Sequence, residues 1–191
     1  MRVFIAVLIL IFSLQSWTKA DGIKEFEIEG MSIGDSLLKF YSYKEIKNKK
    51  KSYYPASDKF FGISFRTDNE NYDAIQFGVT NDKKYIIHSL SGKLLYKNNF
   101  EGCKKKMNLI IGDLENSLPN DVVKQEDPLI KMIADKTGKS VNKGTTFWFP
   151  NEDYISVECT DWTEEMGFID NLKVRFSTNF FNKWLKDEAY D

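Results

Sequence analysis

Two kinds of hydrophobic pattern run along this chain. Strand signals, which are apolar–polar alternation or short runs rich in β-branched and aromatic residues, occur in six stretches: 61–65, 75–79, 85–90, 145–149, 154–160 and 171–177. Apolar residues spaced by three and four, as on one helix face, occur in 33–41, 100–118 and 181–185. The resulting order is a helix and three strands, the same order again, and a closing helix.

The pattern predicts an α+β fold built from two units, 21–97 and 98–191, packed as one domain. Each unit is a helix followed by a three-stranded antiparallel meander, and a C-terminal helix closes the second. Ser32 and Asp35 resemble a capping box that begins the first helix, and Pro119 ends the second. One or two helical turns are expected after Asp127, and Thr178 or Asn179 is expected to cap the closing helix.

The first twenty residues have the layout of a secretory signal peptide. Met1-Arg2 is a short basic start, Val3 to Leu14 is an apolar run, and Thr18-Lys19-Ala20 supplies small residues at a cleavage site. The twelve apolar residues fall short of the roughly 20 that span a bilayer. We therefore expect cleavage after Ala20 and no membrane anchor afterwards, with an uncleaved anchor as the alternative. The mature protein would be periplasmic or secreted.

The net charge of the chain bears only on which classes of partner are expected. The full chain has 27 basic and 28 acidic residues, and removing Arg2 and Lys19 with the leader leaves a net charge of −3. A weakly acidic chain of this kind gives no electrostatic reason to expect a nucleic-acid partner or an anionic membrane surface.

The two cysteines are expected to form a disulfide, because exported chains fold in an oxidising compartment. Cys103 lies on the apolar face of the helix at 100–118, and Cys159 lies on the apolar face of the strand at 154–160. Packing that helix on the sheet brings the two sulfurs together. The alternatives are a reactive thiol or two inert buried thiols.

Catalytic and metal chemistry have weak sequence support. His88 is the only histidine, so the common zinc site is excluded, and we expect it to be a packed strand residue. Gly138-Lys139-Ser140 resembles the end of a phosphate-binding loop, but Ile133 stands where that motif needs glycine. The sequence predicts no catalytic residue, no metal site and no cofactor.

Aromatic residues give the strongest binding signal. The chain contains 28 Phe, Trp and Tyr residues. In the run Phe147-Trp148-Phe149, Trp148 faces away from its neighbours on a strand, and Trp162 follows the Cys159 strand. Such aromatic surfaces are typical of protein interfaces or of ligand surfaces. Trp148 and Trp162 are the candidate interaction residues; the alternative is that the chain itself covers Trp148.

Residues 28–38, with the letters IEGMSIGDSLL, resemble the opening of a set of small uncharacterised exported proteins of marine bacteria. The resemblance extends to 85–87 and to 159–162, and it implies no activity. The entry Gly30-Met31-Ser32 before a helix and meander is also similar to the group of outer-membrane assembly lipoproteins and β-lactamase inhibitor proteins. That resemblance implies a binding module that presents a sheet face to another protein. The chain departs from the lipoproteins in lacking the lipidated cysteine, and the second unit lacks Gly-Met-Ser.

These patterns together predict an exported, non-enzymatic protein that binds another cell-envelope protein. Two alternatives remain open at this point. One is a small-ligand binder with an aromatic-lined groove between the units, and the other is a hydrolase that uses carboxylates the sequence does not single out.

Overall fold

A computed structural model describes residues 22–68 and 71–190. Within these residues the fold is α+β, with three α-helices and nine β-strands. The predicted leader, residues 1–20, lies outside the described residues. The helices are α1 (Tyr43–Asn48), α2 (Phe100–Ser117) and α3 (Asn179–Asp187). The strands are β1 (Lys51–Ser52), β2 (Phe60–Arg66), β3 (Ala74–Thr80), β4 (Ile87–Leu95), β5 (Val123–Glu126), β6 (Ile130–Lys131), β7 (Val141–Trp148), β8 (Tyr154–Asp161) and β9 (Asn171–Ser177).

All nine strands belong to one sheet. Its order is β1-β2-β3-β4-β9-β8-β7-β5, with β6 also paired to β7, and every pairing is antiparallel. The meander β2-β3-β4 therefore continues directly into β9-β8-β7 through the pairing of β4 with β9. The α+β class is shown, and the division into two related units stays a prediction.

One face of the sheet carries the hydrophobic core. Successive side chains of a strand point to opposite faces, so the alternating apolar residues of β2, β3, β8 and β9 collect on one side. The N-terminal segment, through residues such as Ile28, Leu37 and Ile46, packs in the same core. Helix α2 adds Cys103, Met107 and Ile111 to it.

The predicted disulfide is confirmed. Cys103 on α2 and Cys159 on β8 are bonded, with Cα atoms 6.0 Å apart, and both residues are fully buried. The bond joins the helix to the strand at the centre of the core.

Helix α3 packs on the opposite face of the sheet. Thr178 caps it, because its side-chain oxygen accepts a hydrogen bond from the Phe181 N–H. Phe181 and Trp184 form a small second core with Phe60 of β2. Gly78 of β3 permits this packing, since a Cβ at that position would lie 2.7 Å from the Phe181 ring. The closing helix and one of its two expected caps are confirmed.

The helix expected at 33–41 is wrong. Ser32 and Asp35 form a turn, in which the Ser32 N–H donates to the Asp35 carboxylate, but the backbone then pairs with the chain entering β4. The N–H groups of Gly34 and Leu37 donate to carbonyls of that entering segment instead of to helical partners. The α-helix begins later, at Tyr43, where Ser42 and Glu45 form a complete capping box.

Two further expectations differ from the structure. The segment after Asp127 forms strand β6 at the sheet edge and not helical turns, and β5 precedes it. The strand expected at 85–90 begins at Ile87 and continues through Ser91 and Gly92 to Leu95. Gly92 remains in the strand because Tyr72 packs where a Cβ would project.

Candidate functional site

The sheet face opposite the core is polar, and α3 covers only one end of it. The same alternation that buries the apolar residues places polar residues of five adjacent strands on this side. A single cross-strand row shows the composition: Gln76, Ser91, Arg175, Ser156 and Thr146. We call this surface the polar face.

A charge cluster lies in the middle of the polar face. Glu158 of β8 sits opposite Lys173 of β9, and its Oε1 is 2.9 Å from the Lys173 Nζ. The same oxygen is 3.5 Å from Nη2 of Arg175. Arg175 also donates through Nη1 to the hydroxyl of Tyr154, at 3.4 Å. One carboxylate thus holds two cations.

Glu158 is ionised in this setting. Burial alone would raise the pKa of the carboxyl, but the charges of Lys173 and Arg175 outweigh that effect and hold the pKa below its ordinary range. Asn142 strengthens this by donating its amide N–H to the Glu158 carboxylate. A carboxylate that is already paired and ionised is suited to organising charge, and it is not suited to act as a general acid.

Lys93 adds a third cation to the polar face. It lies on β4 directly opposite Lys173. Burial lowers the pKa of its ammonium group. Among the described residues, Lys93 has no ion-pair or hydrogen-bond partner on its side chain, whereas Lys173 has Glu158. Among the residues that line the groove, three cations thus face one carboxylate, and the carboxylate of Asp127 lies farther along the polar face, where it accepts a hydrogen bond from Thr146.

These charged groups line a groove of about 470 Å³. Its floor is formed by strands β3, β4, β7, β8 and β9, and Met132, Trp162 and Phe168 form a less polar rim. The groove is lined by Gln76, Lys93, Met132, Asn142, Glu158, Thr160, Trp162, Phe168, Asn171, Lys173 and Arg175.

The two predicted interaction residues lie at opposite ends of the polar face. Trp162 follows β8 and packs on Phe168, with ring centroids 4.9 Å apart, so it belongs to the groove rim. Trp148 pairs with Tyr154 at the other end of β8, and its ring lies 5.0 Å from the Tyr154 ring. Trp148 is 36% exposed and donates through Nε1 to Gln125. The structure places both on one face but does not bring them together.

A single row connects the two aromatic ends. Residues 154, 156, 158, 160 and 162 alternate along β8 toward the polar face, so the row reads Tyr, Ser, Glu, Thr, Trp. At about 3.4 Å per residue it is about 27 Å long. A second cavity, of about 620 Å³, lies between Trp148 and α3 at the Tyr154 end.

His88, the only histidine of the sequence, and a pair of neighbouring acids lie away from the groove. His88 is partly buried beside α3, where its ring lies 5.2 Å from that of Phe60. Asp161 and Asp170 are neighbouring acids, and burial together with the Asp170 charge raises the pKa of Asp161. By alternation Asp161 shares the core-side orientation of Cys159, so this pair does not face the groove.

No group of three or more His, Cys, Asp or Glu side chains in 22–68 and 71–190 is placed to hold a metal ion. None of the helices described there combines the length and the apolar character that a bilayer crossing requires.

The charge cluster is not among the sequence-based predictions. Glu158, Lys173 and Arg175 were visible as the polar members of two alternating strands, and that signal assigns each of them to a face away from the core. The sequence does not reveal that β4 and β8 pair on either side of β9. This pairing places Lys93, Lys173 and Glu158 in one cross-strand row. The direct signal in the sequence is three charged residues on strand faces that are otherwise uncharged.

The polar face, its groove and its charge cluster are the features of this molecule from which a function can be inferred. Compared with known proteins, the chain matches no family model, no curated protein and no solved structure.

Proposed function

We propose that this chain is an exported, non-enzymatic binding protein that takes another cell-envelope protein on the polar face of its sheet. The observation that carries the proposal is the row from Tyr154 to Trp162, which joins two aromatic ends through a polar centre on one face of the sheet. Within this row Tyr154, Glu158 and Trp162 are partly exposed. Interfaces between proteins commonly combine aromatic anchors with a polar, hydrogen-bonding surround.

Export is supported by two independent features. The sequence begins with a predicted signal peptide, and the described fold contains a disulfide between its only two cysteines. Disulfides persist in oxidising compartments and are rare in the cytosol. Together these features support a periplasmic or secreted location.

A binding role fits the chemistry of the groove better than catalysis does. Glu158 is the one carboxylate that lines the groove among the described residues, and Lys173 and Arg175 hold it ionised. An inverting or retaining hydrolase needs two carboxyl groups facing one bond. The groove therefore supports recognition.

A small organic ligand is the second candidate function. The groove volume of about 470 Å³ lies within the range of ligand pockets, roughly 300–1,000 Å³. Such pockets are mostly apolar, whereas this groove has apolar groups only at its rim, so the protein partner is favoured.

Site-specific photocrosslinking tests the proposal. In one variant Phe168, which is 57% exposed at the groove rim, is replaced by p-benzoylphenylalanine in the full-length chain in its own host. The matched control places the same amino acid at Phe180, which is 52% exposed on α3 and packs beside Lys59. We expect one discrete protein adduct from position 168 and none from position 180.

A second substitution separates binding from folding. Trp162→Ala in the Phe168 crosslinking variant should abolish the adduct, while the melting temperature stays within a few degrees because the indole lies at a rim. Equal adducts from both positions, or an adduct that survives Trp162→Ala, would contradict the assignment of the polar face. The same holds if loss of the adduct accompanies unfolding.

A further inference from the structure

We propose that the groove binds an acidic segment of the partner, with carboxylate side chains of that segment held by Lys93 and Lys173. This inference rests on the proposed function and adds the chemistry of the partner. The juxtaposition that carries it is a half-buried lysine that has no ion-pair partner within residues 22–68 and 71–190, beside a second lysine whose carboxylate partner there is shared with an arginine.

The first step is the unequal charge of the cluster. Glu158 contacts both Lys173 and Arg175, so its single negative charge is divided between two cations. Lys93 then stands directly opposite Lys173 without a carboxylate of its own among the described residues. Like charges placed directly opposite each other on paired strands destabilise a sheet. An incoming carboxylate would remove this repulsion.

The second step is where the excess charge lies. Lys93 and Lys173 line the groove together, and only 22% of the Lys173 side chain is exposed. Charges that are partly withdrawn from water interact more strongly than charges on an open surface. Burial lowers the pKa of Lys93, and burial with the neighbouring Arg175 lowers that of Lys173. A bound anion would raise both pKa values again, because it stabilises the charged form of each ammonium group.

The third step concerns the kind of anion. The groove is lined by strand and loop side chains, whereas sites for small phosphates usually present backbone N–H groups at a helix N-terminus or glycine-rich loop. Its neutral member Gln76 is partly exposed and can bond an amide group of a chain. The polar row beside them is about 27 Å long, the length of roughly eight extended residues. An extended acidic peptide matches this shape.

The fourth step is the rim. Trp162 and Phe168 pack edge to face at the groove rim, which Met132 also lines. An apolar side chain next to the acidic residues of the segment would pack there. The full recognition pattern is a pair of carboxylates followed by a large apolar residue.

Nuclear magnetic resonance on the purified mature chain tests the inference, with hexaglutamate as the peptide probe. We expect shifts of the backbone amides around Lys93, Lys173 and Trp162, and weaker binding as salt concentration rises. Lys93→Gln should weaken hexaglutamate binding about tenfold, the effect of losing one charge-assisted hydrogen bond. The matched control is Lys105→Gln, on the exposed side of α2, which should leave binding unchanged.

The unliganded variant gives a second readout. Because Lys93→Gln removes the repulsion with Lys173, it should raise the melting temperature of the free protein while it weakens binding. A purely structural lysine would show the opposite, a lower melting temperature. The two cases can be distinguished because, among the described residues, no carboxylate loses its ion-pair partner when Lys93 is replaced.

Three outcomes would overturn the inference. They are equal binding by the Lys93→Gln and Lys105→Gln variants, amide shifts located outside the groove, and binding of inorganic phosphate without binding of hexaglutamate. If hexaglutamate fails to bind while the adduct at position 168 persists, the partner lacks an acidic segment and the proposed function stands. If both fail, the polar face is not the docking surface.

Discussion

His88 shows how a single side chain links this fold to pH. Its Nδ1 lies 3.2 Å from the hydroxyl oxygen of Thr178, and its ring lies 5.4 Å from that of Phe180. The hydroxyl oxygen of Thr178 accepts the capping hydrogen bond from the Phe181 N–H of α3. The hydroxyl proton can then be donated to Nδ1 of a neutral His88 ring. The environment therefore favours the uncharged ring.

The charges around His88 act in both directions. Burial lowers its pKa most, and Lys24 and Lys59 lower it further. Asp153 and Asp82 raise it, but they do not outweigh burial. The folded pKa lies below the unfolded value of about 6.5, so the unfolded chain binds the proton first as pH falls.

We predict that the free energy of unfolding decreases as pH falls below about 6.5, until pH passes the folded pKa of His88. The His88→Asn variant should lose this dependence between pH 7.5 and pH 6. Urea unfolding at these two pH values measures it. An unchanged slope in the variant would assign the effect to other groups.

Gly78 and Gly112 are predicted to respond to alanine with opposite signs. A Cβ at Gly78 would lie 2.7 Å from the Phe181 ring, so Gly78→Ala should destabilise the protein by about 2 kcal/mol through displaced packing of α3. Gly112, inside α2, has no such neighbour within 4 Å. Gly112→Ala should therefore stabilise the protein by roughly 1 kcal/mol. Denaturant unfolding of both variants gives the two signs, and a shared sign would contradict the packing described for α3.

At the scale of elements, the disulfide fixes α2 on the sheet. It joins residues 56 apart in sequence and lies beside Met107 and Ile111 in the same core. In the chain-entropy account, closing a loop of this length restricts the unfolded chain by roughly 4 kcal/mol. The contact between α2 and β8 is thus stabilised both by packing and by a covalent bond.

We predict that replacing both cysteines with alanine lowers the free energy of unfolding by about 4 kcal/mol. The control is the unsubstituted chain measured in excess reductant, which should approach the stability of the double variant. A loss well under about 1 kcal/mol in both would show that packing alone positions α2.

Elements with a buried face were predictable, and elements without one were not. The spacing at 100–118 predicts α2 because Cys103, Met107 and Ile111 recur on one side over a long run. The alternation at 171–177 predicts β9 with its observed bounds. Strand β5 is exposed throughout, so no alternation marks it, and its existence depends on pairing with β7.

Capping signals were ambiguous for a physical reason. Ser32-x-x-Asp35 and Ser42-x-x-Glu45 have nearly the same form, yet only the second begins an α-helix. At the first, Gly34 adopts a φ of +93°, and bonds to the segment entering β4 hold the backbone out of helical geometry. Those partners are some 50 residues away in sequence, so local analysis does not reveal them.

At the scale of the whole molecule, the candidate site is a product of topology. Lys93 and Lys173 are 80 positions apart and become neighbours only through the pairing of β4 with β9. Alternation predicts that each charged residue faces away from the core, but it carries no information about which strands are adjacent. Trp148 and Trp162 were predictable as aromatic candidates, and the cluster between them was not.

The same pairing predicts cooperative unfolding. Because β4 and β9 align over seven residue pairs, the two predicted units share one continuous sheet. Calorimetry should show one transition whose calorimetric and van't Hoff enthalpies agree. Two resolved transitions would mean that residues 21–97 and 98–191 melt separately in spite of the shared sheet.

The two edge strands of the sheet determine whether other chains can pair with it. An open sheet of nine strands is a template on which other chains could extend, but β1 has only two residues and begins with Lys51. At the other end, β5 carries Lys124, whose ammonium group pairs with Glu115 and Glu126. Short, charged borders of this kind resist edge-to-edge growth into fibrils. The protein can therefore reach a high local concentration without polymerising through its own strands.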